Sequence, residues 1–296
     1  MKKLLLIYWT GTGNTRYITD LVSNEFLNSY TVDKVEVNIN TQKEIDTFNY
    51  DLIGIGYPIY GFNAMGFFSK FIKHLKYKKN QKVFIYKNSG ETLHANDASS
   101  APLVKTLTRK GCIVNNEYHF VMPYNIHFRY EDNIVNEMLN MDDKLVKILH
   151  YEVENDIPNI KKYKFIHKLI TFFVGIIHIG GNVNSFLYKV DKKKCNKCGL
   201  CVKQCPMNNI YFDKKGNIKF HHHCEMCMRC SFFCPKDAYR IGFINGWKVN
   251  GAYNLKKIKE QETTYPVVTK DSKKHFHCLI ETYANITKRY YELFNK

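Results

Sequence analysis

The chain contains no run of eighteen apolar residues, so no segment of it is built to cross a bilayer as a helix. The nearest candidate, Leu169 to Gly180, is too short and carries His178. A secretory leader is not expected either. Met1-Lys2-Lys3 precedes only a brief apolar run, which enters a glycine loop without a small-residue cleavage site. A first buried strand and a cytoplasmic location are expected from that opening. Acidic residues are scarce, 27 against 44 Lys and Arg, for a formal net charge of +17. No basic helix or nucleic-acid motif gathers this charge, so nucleic acid is not the expected partner. With 45% apolar residues, 296 residues suit one ordinary domain plus a smaller one.

What the chain does have is cysteine. Eight of its ten cysteines fall in two runs, Cys195-x-x-Cys198-x-x-Cys201-x-x-x-Cys205-Pro206 and Cys224-x-x-Cys227-x-x-Cys230-x-x-x-Cys234-Pro235. Structural zinc sites use paired Cys-x-x-Cys or Cys/His sets and leave no role for a third evenly spaced thiol. A disulfide framework needs an oxidising compartment. The spacing resembles that of bacterial-type ferredoxins, which implies two [4Fe–4S] clusters. Three thiolates of a run then wrap one cube, and the fourth, turned away by the following proline, reaches the other. Cys195, Cys198, Cys201 and Cys234 would hold one cluster, and Cys224, Cys227, Cys230 and Cys205 its partner. Cys112 and Cys278 lie outside the pattern and read as small apolar residues or free thiols. His221-His222-His223 reads as solvent-exposed, because the neighbouring cysteines already have ligand duties.

The first half begins with a strand over residues 3–9, then Thr10-Gly11-Thr12-Gly13-Asn14-Thr15, then an apolar stripe at helical spacing. Glycines admit a close approach of the backbone, hydroxyls donate, and the free amides of a first helical turn face an anion. The loop is neither a dinucleotide G-x-G-x-x-G nor a Walker loop. Further strands are expected at Val32–Ile39, Asp51–Gly56, Val83–Tyr86 and within Ile113–Met122, with helices at 65–76, 99–110 and 131–150. Alternation of this kind gives an α/β, doubly wound five-stranded parallel sheet, with its ligand beyond the carboxyl ends of the strands.

Thr-x-Thr-Gly-Asn-Thr after the first strand resembles the FMN phosphate loop of flavodoxins. That resemblance implies that Tyr57-Pro58-Ile59-Tyr60-Gly61 and Asn88-Ser89-Gly90-Glu91 flank the flavin ring, with Tyr57, Tyr60, Asn88 and Gly90 as ring contacts. With Met122-Pro123-Tyr124-Asn125 and the cysteine runs, residues 1–246 look like the flavodoxin–ferredoxin fusion proteins of anaerobes. The expected architecture is a flavodoxin-like domain (1–160), an amphipathic helical linker (161–188), an α+β two-[4Fe–4S] ferredoxin-like domain (189–245) and a basic aromatic extension (246–296). Within the ferredoxin unit, 209–213 and 218–220 read as a hairpin, loosely repeated at 238–241. The linker reads as a helix docking the two domains, or, given Lys161, Lys162, Lys164 and Lys168, as a membrane-surface segment. The extension carries no motif; it would cover the ferredoxin unit or form a helix near 271–294.

Joining a flavin, which exchanges one or two electrons, to cubanes, which pass one, implies an electron-transfer flavoprotein. The alternative is an FMN-dependent reductase of a small molecule fed by its own clusters, with His94, Tyr124, His127 and Arg129 as candidate donors or anchors. Two clusters and a flavin phosphate still leave about +11 of net charge. An acidic redox partner is therefore expected: a ferredoxin, a flavodoxin or an oxidoreductase.

Overall fold

Successive side chains of a strand point to opposite faces, and in Lys2–Tyr8 (β1) both faces are apolar. Leu4 and Leu6 enter one core, Leu5 and Ile7 the other. Such a strand belongs inside a parallel sheet. In the computed structural model, which describes residues 1–41, 45–162, 166–167 and 183–295, that is where it lies. Tyr30–Glu36 (β2), Leu52–Pro58 (β3), Lys82–Ser89 (β4) and Ile113–Val121 (β5) complete a parallel sheet of order β2-β1-β3-β4-β5. This is the doubly wound, flavodoxin-like sheet expected from the sequence.

Asn14–Phe26 (α1) and Asp132–Glu154 (α5) cover one face through Ile18, Val22, Phe26, Val135 and Met138. Gly66–His74 (α2) and Ala101–Arg109 (α4) cover the other through Phe68, Ile72, Leu103 and Leu107, with the short helix His94–Asp97 (α3) before α4. The second strand ends earlier than its apolar pattern suggests. Ile39 has left the sheet, and its amide donates to the carbonyl of Pro206 at 2.8 Å, in the cysteine-rich unit.

That unit is built from two small antiparallel pairs. Tyr188–Val190 (β6) pairs with Tyr239–Ile241 (β9), and Ile210–Phe212 (β7) with Ile218–Phe220 (β8). The expected hairpin is present, but residues 239–241 pair back to β6 and do not form a second hairpin. Among the described residues, its buried apolar core is Tyr188, Ile210, Met228, Tyr239 and Ile241, with cysteines packed around them.

The extension after Gly246 first runs along the ferredoxin unit, where the Gly251 amide donates to Phe232 O (2.9 Å) and Asn250 Nδ2 to Ser231 O (2.7 Å), and then folds back over α5. Ile258, Val268, Phe276, Leu279 and Tyr283 join the core that holds Leu4 and Val135. The Glu137 carboxylate accepts the amides of Val267 (3.1 Å) and Val268 (2.9 Å). The helix expected near 271–294 spans His277–Phe294. Among the described residues, no helix is long and apolar enough to cross a membrane. The linker helix expected at 161–188 falls mostly outside the described residues, as does the side chain of His94.

Candidate redox centre

β1 ends at Tyr8 and α1 starts at Asn14, so the turn between them is short. Gly13 sits at φ 109°, where an L side chain is strained, and donates its amide to Thr10 Oγ1 at 3.0 Å. No side chain caps α1, no acid lies in its first turn, and the amides of Asn14, Thr15 and Arg16 have no protein acceptor among the described residues. Uncapped amides at the positive end of a helix dipole make an anion site. The side chains of the same turn fasten other loops: Asn14 Nδ2 donates to Pro123 O (2.8 Å), and Thr15 Oγ1 to Asn88 Oδ1 (2.7 Å). Asn125 Nδ2 donates to Thr12 Oγ1 (3.2 Å).

Beyond these strand ends opens a cleft, at the place where a doubly wound sheet binds its ligand. Thr10, Gly11, Thr12, Asn14 and Thr15 line it from the first loop; Pro58, Ile59, Tyr60 and Gly61 from the second; Asn88, Ser89 and Gly90 from the third. Met122 to His127 close the far side. Gly13 lies outside the cleft, on a neighbouring groove with Tyr253. Glu91 also lies off it, its carbonyl accepting from Ser89 Oγ and Asn96 Nδ2.

Tyr57 departs from expectation. It belongs to β3, is fully buried, packs against Phe68 and reaches Ser99 Oγ at 3.5 Å. It shares the α2 face with Ile55, so the loop begins after it and its ring cannot line the cleft. Of the candidate donors, Tyr124 and His127 line the cleft. Arg129 does not: its guanidinium lies 4.1 Å from the Tyr253 ring centroid and donates to Gly251 O.

The eight patterned cysteines surround two cavities. Cys195, Cys198, Cys201 and Cys234 line the first, about 430 Å³, with Cys230 at its wall. Cys205, Cys224, Cys227 and Cys230 line the second, about 350 Å³. Burial pushes the Cys227 thiol up to about 11; burial and then the Cys227 charge push Cys224 up to about 12. Thiolates so placed need a positive core to offset their desolvation and mutual repulsion. The thiols ring their cavities without converging on a point. Among the described residues, no three His, Cys, Asp or Glu side chains could hold a single metal ion. The two cavities differ in access: Cys198 is exposed and Cys227 buried.

Nothing in the residue pattern signalled the junction between the two halves. Tyr60 lines the cleft, and its hydroxyl donates to Cys227 O (3.4 Å) while accepting from Asn125 Nδ2 (3.0 Å). Gly11 is a glycine because its neighbours leave no room: a Cβ would stand 2.7 Å from Cys227 O and collide with the Tyr60 hydroxyl. Arg229, between Cys227 and Cys230, donates through Nε to Gly11 O and through Nη2 to Thr10 O, both at 2.6 Å. Its Nη1 donates to Gln204 O (3.2 Å), and Nη2 also meets Glu36 Oε1 (3.2 Å). The second cavity is thus docked against the loop between β1 and α1.

Comparison with known proteins agrees with this division. A flavodoxin domain model matches residues 5–109, and a 4Fe-4S binding domain model matches 188–211. The chain is a flavodoxin–ferredoxin fusion. Part of the fusion is 31% identical over 71 residues to an uncharacterized ferredoxin of Methanocaldococcus jannaschii, covering 23% of this chain and 92% of that one. It is 48% identical over 29 residues to 6-hydroxynicotinate reductase of Eubacterium barkeri, covering 10% of this chain and only 6% of that one. A second relative, an uncharacterized protein of M. jannaschii, is likewise spanned over only 10% of its length. A Streptococcus pneumoniae TIGR4 flavodoxin superposes with a TM-score of 0.39 at 16% identity, over 52% of the fusion and 98% of that chain. A flavodoxin domain followed by a 4Fe-4S domain supports FMN and [4Fe–4S] clusters as the cofactors of the fusion, which spans only a small part of the length of two of these curated relatives, 6% and 10%.

Proposed function

We propose that the fusion passes electrons between one FMN in the strand-end cleft, two [4Fe–4S] clusters and an acidic redox partner. FMN supplies one- and two-electron exchange, and cubanes supply one-electron exchange. The protein's residues set the order of the carriers. Cys195, Cys198, Cys201 and Cys234 form the outer, solvent-facing ligand set. Cys205, Cys224, Cys227 and Cys230 form the inner one, next to the flavin. The observation that carries this reading is the contact of Cys227 O with both Tyr60 and Gly11, two walls of the cleft. One backbone segment thereby borders both centres.

Protein purified without oxygen should contain about eight iron, eight acid-labile sulfide and one FMN per chain, from the ligand count. Chemical reduction of the metal centres should be followed by bleaching of the flavin with no added mediator. Colourless, metal-free protein after reconstitution would end this reading.

A second reading, an FMN-dependent reductase of a small molecule, is favoured by His127 and Tyr124 at the cleft wall. Burial lowers the His127 pKa, so its imidazole is neutral there at neutral pH. Steady consumption of an oxidised metabolite, abolished by His127→Ala, would favour it over a carrier role.

A further inference from the structure

Resting on the carrier order above, we infer that the lysine-rich face around Cys198 is the docking site for an acidic one-electron carrier protein. Three separate pieces of chain build this face. Lys193 and Lys194 are exposed just before Cys195. Lys197 and Lys236 line the same cavity as Cys195, Cys198, Cys201 and Cys234. The turn between β7 and β8 supplies the third piece. Lys197 Nζ lies 3.7 Å from where a Cβ of Gly216 would stand, which brings exposed Lys214 and Lys215 to the same rim.

The acids nearby are held by backbone amides or by another lysine, and the six lysines outnumber their charge. Asp191 accepts the Lys193 amide (2.9 Å), Asp213 accepts the amides of Lys215 (2.9 Å) and Asn217 (2.8 Å), and Asp237 is paired with Lys248. Among the described residues, none of the six lysines forms an ion pair. Phe212, 39% exposed, lies 3.5 Å from the Cβ position of Gly199 and gives the face an apolar element beside Cys198. An apolar patch inside a rim of one charge suits a transient partner of opposite charge, steered in by the field and released quickly. A membrane or nucleic acid would use the charge but not its placement around the exposed thiol. Each encounter moves one electron, lost by one of the two proteins and gained by the other; no bond forms and no proton moves.

The test uses intact holoprotein, first shown to contain iron, sulfide and flavin, so that failure to load cofactors counts against the carrier reading and not against the docking site. Association with an acidic two-[4Fe–4S] ferredoxin, oxidised and reduced, is followed by calorimetry and by stopped-flow, with a basic cytochrome c as the opposite-charge control. Wild type should bind the ferredoxin and lose that binding as salt rises, since screening shortens the reach of the field. K193E/K194E and, farther from the thiols, K214E/K215E should each slow association at least about tenfold. Both should leave spectra and flavin reduction by a small neutral reductant unchanged. Salt-independent association, equal rates for the two carriers, unchanged rates in both variants, or capture of anionic vesicles in place of the ferredoxin would overturn the assignment.

Discussion

Arg229 Nε donates to the carbonyl of Gly11 at 2.6 Å, joining a residue between Cys227 and Cys230 to the loop between β1 and α1. Its side chain is 13% exposed and also serves Thr10 O, Gln204 O and Glu36. Buried hydrogen bonds to a charged group contribute about 1.5–3 kcal/mol each when removal leaves partners unmet. Arg229→Gln should therefore cost about 2–3 kcal/mol in urea unfolding and speed flavin release. Arg229→Lys should recover only part of this, because an ammonium cannot serve a fork of acceptors. Flavin fluorescence during dilution reads the release; wild-type behaviour of both variants would mean the two halves are held by other contacts.

The ligand sets are testable by iron content. Cys205→Ala should behave like Cys224→Ala, although it lies in the other run, and Cys234→Ala should behave like Cys195→Ala. Each should lower iron from about eight to about four per chain, with the surviving cluster's electron paramagnetic resonance signal the same within a group and different between groups. Grouping by run and not by cavity would refute the crossed assignment.

Beneath the flavin loops, Lys87 and Glu117 form a buried ion pair, both side chains at most 1% exposed. Lys87 also donates to Asp97 O (2.8 Å) and Ser100 Oγ (3.1 Å), so the pair anchors the segment after Gly90. Removing one charge strands the other. Lys87→Met or Glu117→Leu alone should cost about 3–5 kcal/mol, and the double variant much less. Equal losses in all three, by urea denaturation, would contradict this.

His119, next to Lys87 in the register of β4 and β5, is half-buried with Nε2 2.7 Å from Ser89 Oγ. Burial, then the positive charges of Lys87 and Lys161, hold its pKa well below the usual value. An unfolded histidine titrates near 6.5, so the unfolded state binds the extra proton first. The contribution of His119 is complete above that pH and is lost as pH falls below it. His119→Phe should flatten the fall in melting temperature between about pH 6.5 and 5; an unchanged slope would assign the acid sensitivity elsewhere.

Leu279 is fully buried in the core under α5, far along the chain from Leu4, which it joins there. Leu279→Ala should cost about 2–5 kcal/mol, lowering the melting temperature of the flavin-binding half and leaving the iron content unchanged. A loss confined to the cluster signals would mean that the extension supports the ferredoxin unit instead.

Much of this molecule can be read from local pattern. The β1 run, buried on both faces, the Thr10–Thr15 loop and two evenly spaced cysteine runs each follow from short-range rules of periodicity, backbone freedom and ligand spacing. Strand ends are less legible, because a strand stops where its neighbours stop. Tyr57 reads as loop beside Pro58, yet pairing with Lys87 keeps it in β3 and buries its ring. The sequence by itself determined the carriers and the sheet. Only the tertiary structure decided which cysteine cavity abuts the flavin cleft, that Arg229 ties them together, and that the extension covers α5. Those relations join residues from about 120 to more than 200 positions apart, where no periodicity operates and only the packing of whole surfaces selects the partner.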